Sequence, residues 1–246
     1  MIAAAAALVL LGGCARGEDS AAAAGGSSRA AAPSPDSGST ASHQPPTGNH
    51  LVVFLGTSLT AGLGLDPGEA YPAVIQRRLD SLHLPWRAVN AGVSGETSAG
   101  ALTRLDWVLA SRPAILVLET GANDGLRGMD VDSTRANLEA IVRRARAAVP
   151  GIRIVLAGMA VPTNLGPRYE AEFRGVFPGV AARERVALIP FLLQGVGGVA
   201  SLNQADGIHP TAAGQRIVAE NVWRVLGPMV TGGTDGPTHG RTGGEP

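Results

Sequence analysis

The amino-acid sequence predicts an α/β fold, a three-layer α/β/α sandwich in which helices cover both faces of a five-stranded parallel sheet. Two observations lead to this prediction. Short apolar runs alternate with longer amphipathic stretches through the middle of the chain, and the apolar runs are continuous rather than alternating. A continuous apolar run is typical of a parallel strand that is covered on both faces. Strands that alternate with helices in this way are expected to lie in one parallel sheet.

The apolar runs are the predicted strands, and the stretches between them are the predicted helices. Strands are expected at residues 51–55, 86–90, 115–119, 152–157 and 186–190. Helices are expected at about 70–82, 98–111, 132–148, 168–184 and 211–227. The fourth helix carries apolar side chains on one face at helical spacing, which we interpret as core residues: Tyr169, Phe173, Val176, Phe177 and Val180.

Composition and charge describe a neutral globular domain. The chain has 246 residues, 45% of them hydrophobic, and its 20 basic side chains balance 20 acidic ones. This length suits one medium-sized domain, which the apolar pattern places at 50–230. A nucleic-acid-binding protein is expected to carry a basic patch, so the neutral charge argues against that class. The sequence has no His/Cys/Asp cluster at metal-ligand spacing, so no metal is implied. No other cofactor is expected.

The N-terminal segment predicts export. Residues 2–13 are apolar, too few to span a bilayer as a mature helix but suited to the hydrophobic region of a signal peptide. They end at Leu11-Gly12-Gly13-Cys14, which resembles the lipobox of bacterial lipoproteins, where the cysteine becomes the N-terminus and carries lipid. We therefore expect a signal peptide at 1–14, lipidation of Cys14 and a membrane-anchored protein of the bacterial cell envelope, periplasmic or at the cell surface. The alternative is a plain secretory signal.

Two further segments are predicted to be disordered. Residues 15–49 are rich in Ala, Gly, Ser, Pro and Thr without apolar periodicity, and residues 231–246 have a similar polar, glycine-rich composition. Such segments cannot bury enough apolar surface to fold. We interpret 15–49 as a flexible tether between the anchor and the folded domain, and 231–246 as a tail.

A candidate nucleophile follows the first predicted strand. Functional side chains of open α/β sheets lie beyond the carboxyl ends of the strands. There the chain reads Gly56-Thr57-Ser58-Leu59. A serine at a strand-to-helix turn exposes its hydroxyl, and its N–H lies near a helix N-terminus where developing negative charge is stabilised. Taken alone, Ser58 fits a helix N-cap better than a nucleophile.

The turns after the second and third strands offer hydrogen-bond donors. Gly92 and Gly95 permit close approach and unusual backbone angles, so the Gly95 N–H can point at a substrate oxygen. Asn123, in Gly121-Ala122-Asn123-Asp124, can donate its side-chain N–H to an oxyanion. Each turn also fits a simpler interpretation, a helix-capping loop for the first and an Asx turn for the second.

The segment before the last helix contains an Asp/His pair. Asp206 precedes His209 by three residues, a spacing that lets the carboxylate reach the imidazole Nδ1. That contact fixes the tautomer whose Nε2 is free to take a proton from serine. The alternative is that Asp206 caps a turn and His209 is exposed. Together with Ser58, Gly95 and Asn123, the pair would fall at one edge of the sheet, which favours the catalytic interpretation of all of them.

With these motifs the chain resembles the SGNH (GDSL-type) hydrolase superfamily, and within it the arylesterase and acyl-CoA thioesterase/lysophospholipase subgroup. The resemblance covers about residues 50–230 and rests on the runs VNAGVSGETSAGALTRL, ETGANDGLRGM and DGIHPTAAGQ. It implies a flavodoxin-like sandwich with Ser58 as nucleophile, His209 as general base and Asp206 as its orienting partner. It also implies an oxyanion hole formed by the Ser58 and Gly95 N–H groups and the Asn123 side chain.

One position departs from the family pattern. The usual Gly-Asp-Ser-Leu is here Gly56-Thr57-Ser58-Leu59, and the side chain before the serine generally braces the surrounding loop. Threonine keeps a hydroxyl but lacks the charge, so we expect the chemistry to survive with an altered rate or loop rigidity.

The expected function is that of a serine esterase acting on small-molecule carboxylic esters or thioesters, of the arylesterase, lysophospholipase or thioesterase type. Two alternatives stay open from the sequence: an O-acetyl esterase of polysaccharides, and a binding protein that keeps the fold but has lost catalysis. A cytosolic acyl-CoA substrate fits an exported chain poorly. The Gly-rich apolar segment 193–205 is expected to line the acyl pocket, although a loop without contact to substrate fits nearly as well.

Overall fold

A computed structural model describes residues 50–160 and 165–232. Within them the strands form one parallel sheet in the order β2-β1-β3-β4-β5. This is the order of a flavodoxin-like doubly wound sheet, so the predicted fold class is confirmed. The order reverses between β1 and β3, and sheets of this kind bind ligands at that point. The strands are β1 (Leu51–Gly56), β2 (Arg87–Gly92), β3 (Ile115–Leu118), β4 (Arg153–Ala157) and β5 (Ala187–Ile189).

The sheet centre is the core of the domain. All four residues of β3 are buried, as are all but one terminal residue of β1 and of β4, because helices cover both faces. The expectation of full coverage is wrong for β2, in which Arg87 and Asn90 are exposed and the other residues are half-buried. This strand lies at the edge of the sheet, where a strand has a neighbour on one side only.

The helices of the described residues cover the sheet much as predicted, but two short helices, Ser58–Ala61 and Ala122–Leu126, are not among the predicted ones, and one predicted helix is divided. The predicted helix 98–111 is two short helices that meet at Arg104, whose guanidinium donates hydrogen bonds to carbonyl oxygens of the sheet. The apolar face of the 168–184 helix packs into the core as predicted, with only Tyr169 partly exposed. The helices are α1 (Ser58–Ala61), α2 (Tyr71–Ser81), α3 (Ser98–Thr103), α4 (Leu105–Leu109), α5 (Ala122–Leu126), α6 (Val131–Ala148), α7 (Pro167–Glu184) and α8 (Ala212–Val230).

The predicted signal peptide, Cys14 and the tether 15–49 lie outside the described residues, as does the tail from residue 233 onward. None of the helices in the described part of the chain is both long enough and apolar enough to span a bilayer.

Candidate active site

Ser58 is the first residue of α1, directly beyond the carboxyl end of β1. Its side chain is mostly buried, and Oγ lies 2.8 Å from Nε2 of His209. The simpler interpretation of Ser58 as a helix cap is wrong, because Thr57 occupies the N-cap position. Gly62, with φ of 75°, ends the helix after one turn. The turn therefore presents the hydroxyl to an imidazole that is 151 positions away in sequence.

Asp206 holds the other side of that imidazole. Its Oδ2 lies 2.6 Å from His209 Nδ1, as the three-residue spacing predicts. Its Oδ1 accepts backbone N–H groups from Ile208 at 2.9 Å and His209 at 3.0 Å. These hydrogen bonds, first the His209 backbone N–H and then its side chain, lower the Asp206 pKa to about 2. The carboxylate therefore stays ionised at neutral pH and fixes the imidazole orientation, although its side chain is 44% exposed.

The Asp206–His209 turn is tied to its surroundings by Gln204. The Gln204 backbone N–H donates to the His209 carbonyl at 2.7 Å, and its side-chain amide donates to Pro210 O. The same amide donates to Leu63 O at 2.7 Å, in the chain just after α1. One glutamine thus links the segment of His209 to the segment of Ser58.

Gly95 and Asn123 line the same cavity as Ser58 and His209. Gly95 has φ of 78°, a conformation that favours glycine, so the predicted backbone freedom is used. The Asn123 side chain donates one N–H to Glu96 O at 2.9 Å, and an amide carries a second hydrogen that can serve a ligand. Arg127 also donates to Gly95 O at 2.9 Å, so α5 and the residue after it hold the Gly95 loop.

Asp124 is a structural neighbour of this pair of donors. It is almost fully buried, and its carboxylate accepts the Ser98 N–H at 2.8 Å and the Ser98 hydroxyl at 2.5 Å. The N-terminus of α3 is a favourable place for such an anion. In place of the Asx turn predicted as the simpler interpretation of this segment, the Asp124 carboxylate makes contacts that fix α5 against α3.

Glu119 is the residue of the site that the sequence reasoning missed. It is fully buried directly after β3, and its carboxylate accepts the Thr57 N–H at 2.7 Å. The hydroxyls of Thr57 and Thr60 also donate to it, at 2.9 Å and 2.7 Å. Thr57 therefore braces the nucleophile turn by donating to a carboxylate beneath it. A charged residue at the end of an apolar run was the signal in the sequence.

Burial raises the Glu119 pKa to about 7, against which the hydrogen bonds from Thr57 and Thr60 act. The carboxylate is closely packed against Gly56: a Cβ at that position would lie 2.6 Å from Glu119 Oε2, so a larger residue does not fit there. The turn that carries Ser58 is thus built on a buried acid whose donors are two threonines.

Thr57→Asp, which introduces the residue expected at this position from the motif resemblance, is expected to make folding stability more dependent on pH. It places a second carboxyl group beside Glu119. Ionisation of both groups is unfavourable because the two negative charges would repel each other, so the pair keeps a proton. A raised carboxyl pKa stabilises the fold at low pH, and this contribution is lost as the pH rises through the raised value. Urea unfolding should therefore show a larger loss of stability, relative to the parent protein, at pH 8 than at pH 5. Thr57→Ser, which keeps the hydroxyl donor, is the control; an equal effect of Thr57→Asp at both pH values would contradict this account.

The cavity beside Ser58 is mostly apolar and has a volume of about 470 Å³. Leu193, Gly197 and Gly198 line it, so part of the segment 193–205 takes the position predicted for it. The loop is held from beneath by Asn203, which donates to Val196 O and Val199 O. The other large apolar side chains of the wall come from several elements: Leu59, Leu63, Leu126, Met159, Phe191 and Ile208.

Comparison with known proteins gives one family. The sequence profile of the "GDSL-like Lipase/Acylhydrolase family" matches residues 54–217. The chain is 46% identical over 180 residues to "Esterase TesA" of Pseudomonas aeruginosa, which spans 73% of this chain and 89% of that one. It is 33% identical to "Thioesterase 1/protease 1/lysophospholipase L1" of Escherichia coli K12, over 73% of this chain and 84% of the other.

A solved structure agrees in fold. The psychrotrophic esterase EstA from Pseudoalteromonas sp., in a form inhibited by monoethylphosphonate, superposes with a TM-score of 0.70 at 32% identity, covering 74% of this chain and 99% of that one. Sequence and fold thus agree with the resemblance seen in the motifs, and the chain belongs to the GDSL-like lipase/acylhydrolase family of SGNH hydrolases.

Proposed function

We propose that the protein is a serine esterase that hydrolyses carboxylic esters and thioesters with lipophilic acyl groups, using Ser58 as nucleophile. The observation that carries this proposal is the continuous hydrogen-bonded chain from Ser58 Oγ through His209 to Asp206, with distances of 2.8 Å and 2.6 Å. A serine, a base and an orienting carboxylate in this order are the parts of an acyl-transfer site. The names of the relatives, esterase and thioesterase/lysophospholipase, point to the same bonds.

The reaction proceeds in two steps. Nε2 of His209 takes the hydroxyl proton as Ser58 Oγ attacks the carbonyl carbon, and the protonated imidazole then gives that proton to the leaving alcohol or thiol. In the second step His209 removes a proton from water, which attacks the acyl-serine carbonyl; the bond to Ser58 Oγ then breaks, the imidazolium returns the proton to Ser58 Oγ, and the acid is released. Asp206 stays ionised throughout and stabilises the imidazolium, in keeping with its lowered pKa.

The negative charge that develops on the carbonyl oxygen needs donors. We assign this role to the N–H groups of Ser58 and Gly95 and to the second side-chain hydrogen of Asn123. Two features support the assignment: Gly95 and Asn123 line the cavity that contains Ser58, and Gly95 has a positive φ, a backbone conformation open to glycine in which the chain can approach a ligand closely. Donors that are fixed before the reaction stabilise the oxyanion without further reorganisation.

The acyl side of the site favours apolar chains over sugar acetates. The cavity wall is mostly apolar, and three of the large side chains that line it, Leu63, Leu126 and Ile208, are also exposed to solvent. Of the nine large hydrophobic residues that are exposed in the described part of the chain, seven lie in segments that follow the carboxyl end of a strand or precede α8: Leu63, Val93, Leu126, Met129, Leu165, Val199 and Ile208. Burial of a hydrocarbon chain against these apolar side chains stabilises the bound ester, and an acetyl group is too short to bury a comparable apolar surface.

A chain-length series of p-nitrophenyl esters, compared with acetylated xylan, tests this substrate class. Each methylene that enters the cavity contributes about 0.8 kcal/mol, so kcat/KM should rise by up to about fourfold per methylene until the cavity is filled. Gly197→Leu should move the optimum to shorter chains. A Cβ at this position would lie 3.5 Å from the Phe191 ring, so the leucine side chain would occupy part of the cavity. Gly175→Leu, on an exposed position of α7, is the matched control and should leave the optimum unchanged.

A higher rate on acetylated xylan than on any ester of the series would contradict the proposed substrate class and favour a polysaccharide O-acetyl esterase. Absence of hydrolysis in the whole panel, with folded protein, would favour a binding protein instead.

We also propose that the enzyme is exported and anchored in the cell envelope by lipid on Cys14. The support is the apolar run 2–13 that ends in Leu11-Gly12-Gly13-Cys14. An anchored esterase with an apolar cavity would act on amphiphilic esters close to its membrane. Incorporation of a labelled fatty acid in the producing cell, compared with Cys14→Ser, tests the anchor; equal labelling of both proteins would refute it.

A further inference from the structure

An ion pair lies beneath the loop between β2 and α3. The Arg104 guanidinium donates Nε–H to Glu96 Oε1 at 2.6 Å and Nη2–H to Glu96 Oε2 at 2.7 Å. The side chains are only 19% and 9% exposed, so the pair is largely withdrawn from water. Fork-shaped contacts of this kind fix direction as well as distance.

The same guanidinium also contacts two strands. Nη2 donates to Ala91 O at 2.7 Å, near the end of β2, and lies 3.3 Å from Gly56 O, at the end of β1. Gly56 stands two positions before Ser58, and Glu96 directly follows Gly95. Arg104 therefore connects the strand that carries the nucleophile to the loop that carries a proposed oxyanion donor.

Two glycines leave room for this arrangement. A Cβ on Gly100 would lie 2.8 Å from Glu96 Cγ, which would push the carboxylate away from Arg104. A Cβ on Gly92 would lie 2.3 Å from Ala61 N and 2.8 Å from Thr57 O, so the end of β2 packs directly on the backbone of the nucleophile turn. Both positions require glycine for close approach, and both serve the same junction.

The Glu96–Arg104 ion pair lies behind the residues that line the cavity. Neither Glu96 nor Arg104 lines the cavity, whereas Gly95 and Asn123 do. The Glu96 carbonyl accepts the Asn123 side-chain N–H at 2.9 Å. The peptide of Glu96 thus contacts one proposed donor and adjoins the other, while its carboxylate is held by Arg104.

We propose that Arg104, acting through Glu96, is a positioning residue that sets the distance from Ser58 to the donors Gly95 and Asn123. The proposal rests on the function proposed above. Because the oxyanion forms only on the way to the tetrahedral intermediate, a displaced donor weakens binding of the transition state and leaves binding of the ester unchanged. The signature of the role is a lower kcat at constant KM.

Arg104→Lys is the informative variant, since lysine keeps the positive charge but cannot make the fork and the strand contacts together. We expect kcat on a p-nitrophenyl ester to fall by about 10- to 100-fold, with KM within about twofold of the parent value. Arg144→Lys is the matched control. Arg144 also contacts both carboxylate oxygens of one acidic residue, Asp106, but it does so through Nη2 alone and on an exposed face. Its kcat should not change.

A second readout separates positioning from a general loss of structure. The rate of phosphonylation by a fluorophosphonate, whose phosphoryl oxygen takes the place of the oxyanion, should fall by the same factor as kcat. Thermal unfolding of each variant shows the folded fraction at the assay temperature, and the rates are corrected for it. Glu96→Gln keeps an acceptor without the charge, so it should show the same pattern with a smaller factor and serves if Arg104→Lys does not fold.

Unchanged kcat and phosphonylation in Arg104→Lys, or in Glu96→Gln if only that variant folds, would overturn the positioning role. A rise in KM at constant kcat would overturn it as well. The proposed function fails in a different way, namely if the parent protein itself shows no phosphonylation at Ser58.

Discussion

Replacing Ser58 with alanine is expected to lower kcat for ester hydrolysis by at least about 10⁵-fold, the scale on which removal of a serine nucleophile acts in other hydrolases. The change removes the oxygen that forms the acyl-enzyme, and no other described hydroxyl contacts His209 Nε2. The remaining rate is too low for KM to be determined, so the measurement is the turnover of a p-nitrophenyl ester at a concentration that saturates the parent protein. Folding should be retained, because Oγ makes its contact with His209 and not with the core.

Ser94→Ala is the matched control for this experiment. Ser94 is an exposed serine of the loop that also carries Gly95, so the same atom is removed close to the same cavity. Turnover of this variant should stay within about twofold of the parent protein. Comparable losses in both variants would show that the chemistry does not depend on the Ser58 hydroxyl in particular.

Asp206→Asn is expected to lower kcat by about 10⁴-fold, by the mechanism known for the corresponding change in serine proteases. Asparagine can still accept the Ile208 and His209 backbone N–H groups through Oδ1, so the turn should be kept. Its amide would then face His209 Nδ1 with a donor in place of an acceptor. The favoured tautomer becomes the one with the proton on Nε2, which cannot accept the proton of Ser58.

The control for this change is Asp130→Asn. Asp130 is also an exposed aspartate that accepts a backbone N–H, from Ser133 at the start of α6, but it lies away from His209. Steady-state kinetics should show no loss for Asp130→Asn. If Asp206→Asn kept more than about a tenth of the parent kcat, the carboxylate would not be setting the tautomer of His209.

The fold and the polar end of the site were predictable from the sequence because both depend on short-range patterns. Alternation of apolar runs and amphipathic stretches gives the parallel sheet, and the carboxyl ends of parallel strands then meet at one edge. Asp206 and His209 are only three positions apart, so the spacing alone predicts that the carboxylate can reach the imidazole. The edge strand β2 and the break at Arg104 differ from the pattern because each depends on neighbours that are distant in sequence, and the short helices α1 and α5 have too few residues to show a helical period.

The supporting contacts were not predictable in the same way. Glu119 lies 62 positions from Thr57, and Arg104 lies 48 from Gly56, so local spacing does not reveal either partner, although a charged residue at the end of an apolar run marks Glu119 itself. The runs GETSAGALTR and NDGLR could be recognised as motifs, but the reasons for their residues appear only in three dimensions: Asn123 and Arg127 hold the Gly95 loop from one side and Arg104 holds it from the other. The cavity wall likewise draws its side chains from loops after several strands.

The central claim is that Ser58 is the nucleophile of an acyl-transfer site, and covalent labelling tests it most directly. The purified protein is treated with a fluorophosphonate, digested, and the modified residue is located by tandem mass spectrometry. We expect a single phosphonyl adduct on Ser58, formed in step with the loss of esterase activity, absent in Ser58→Ala and much slower in Asp206→Asn. An active protein that carries the adduct on another residue, or that loses activity without an adduct on Ser58, would contradict the account.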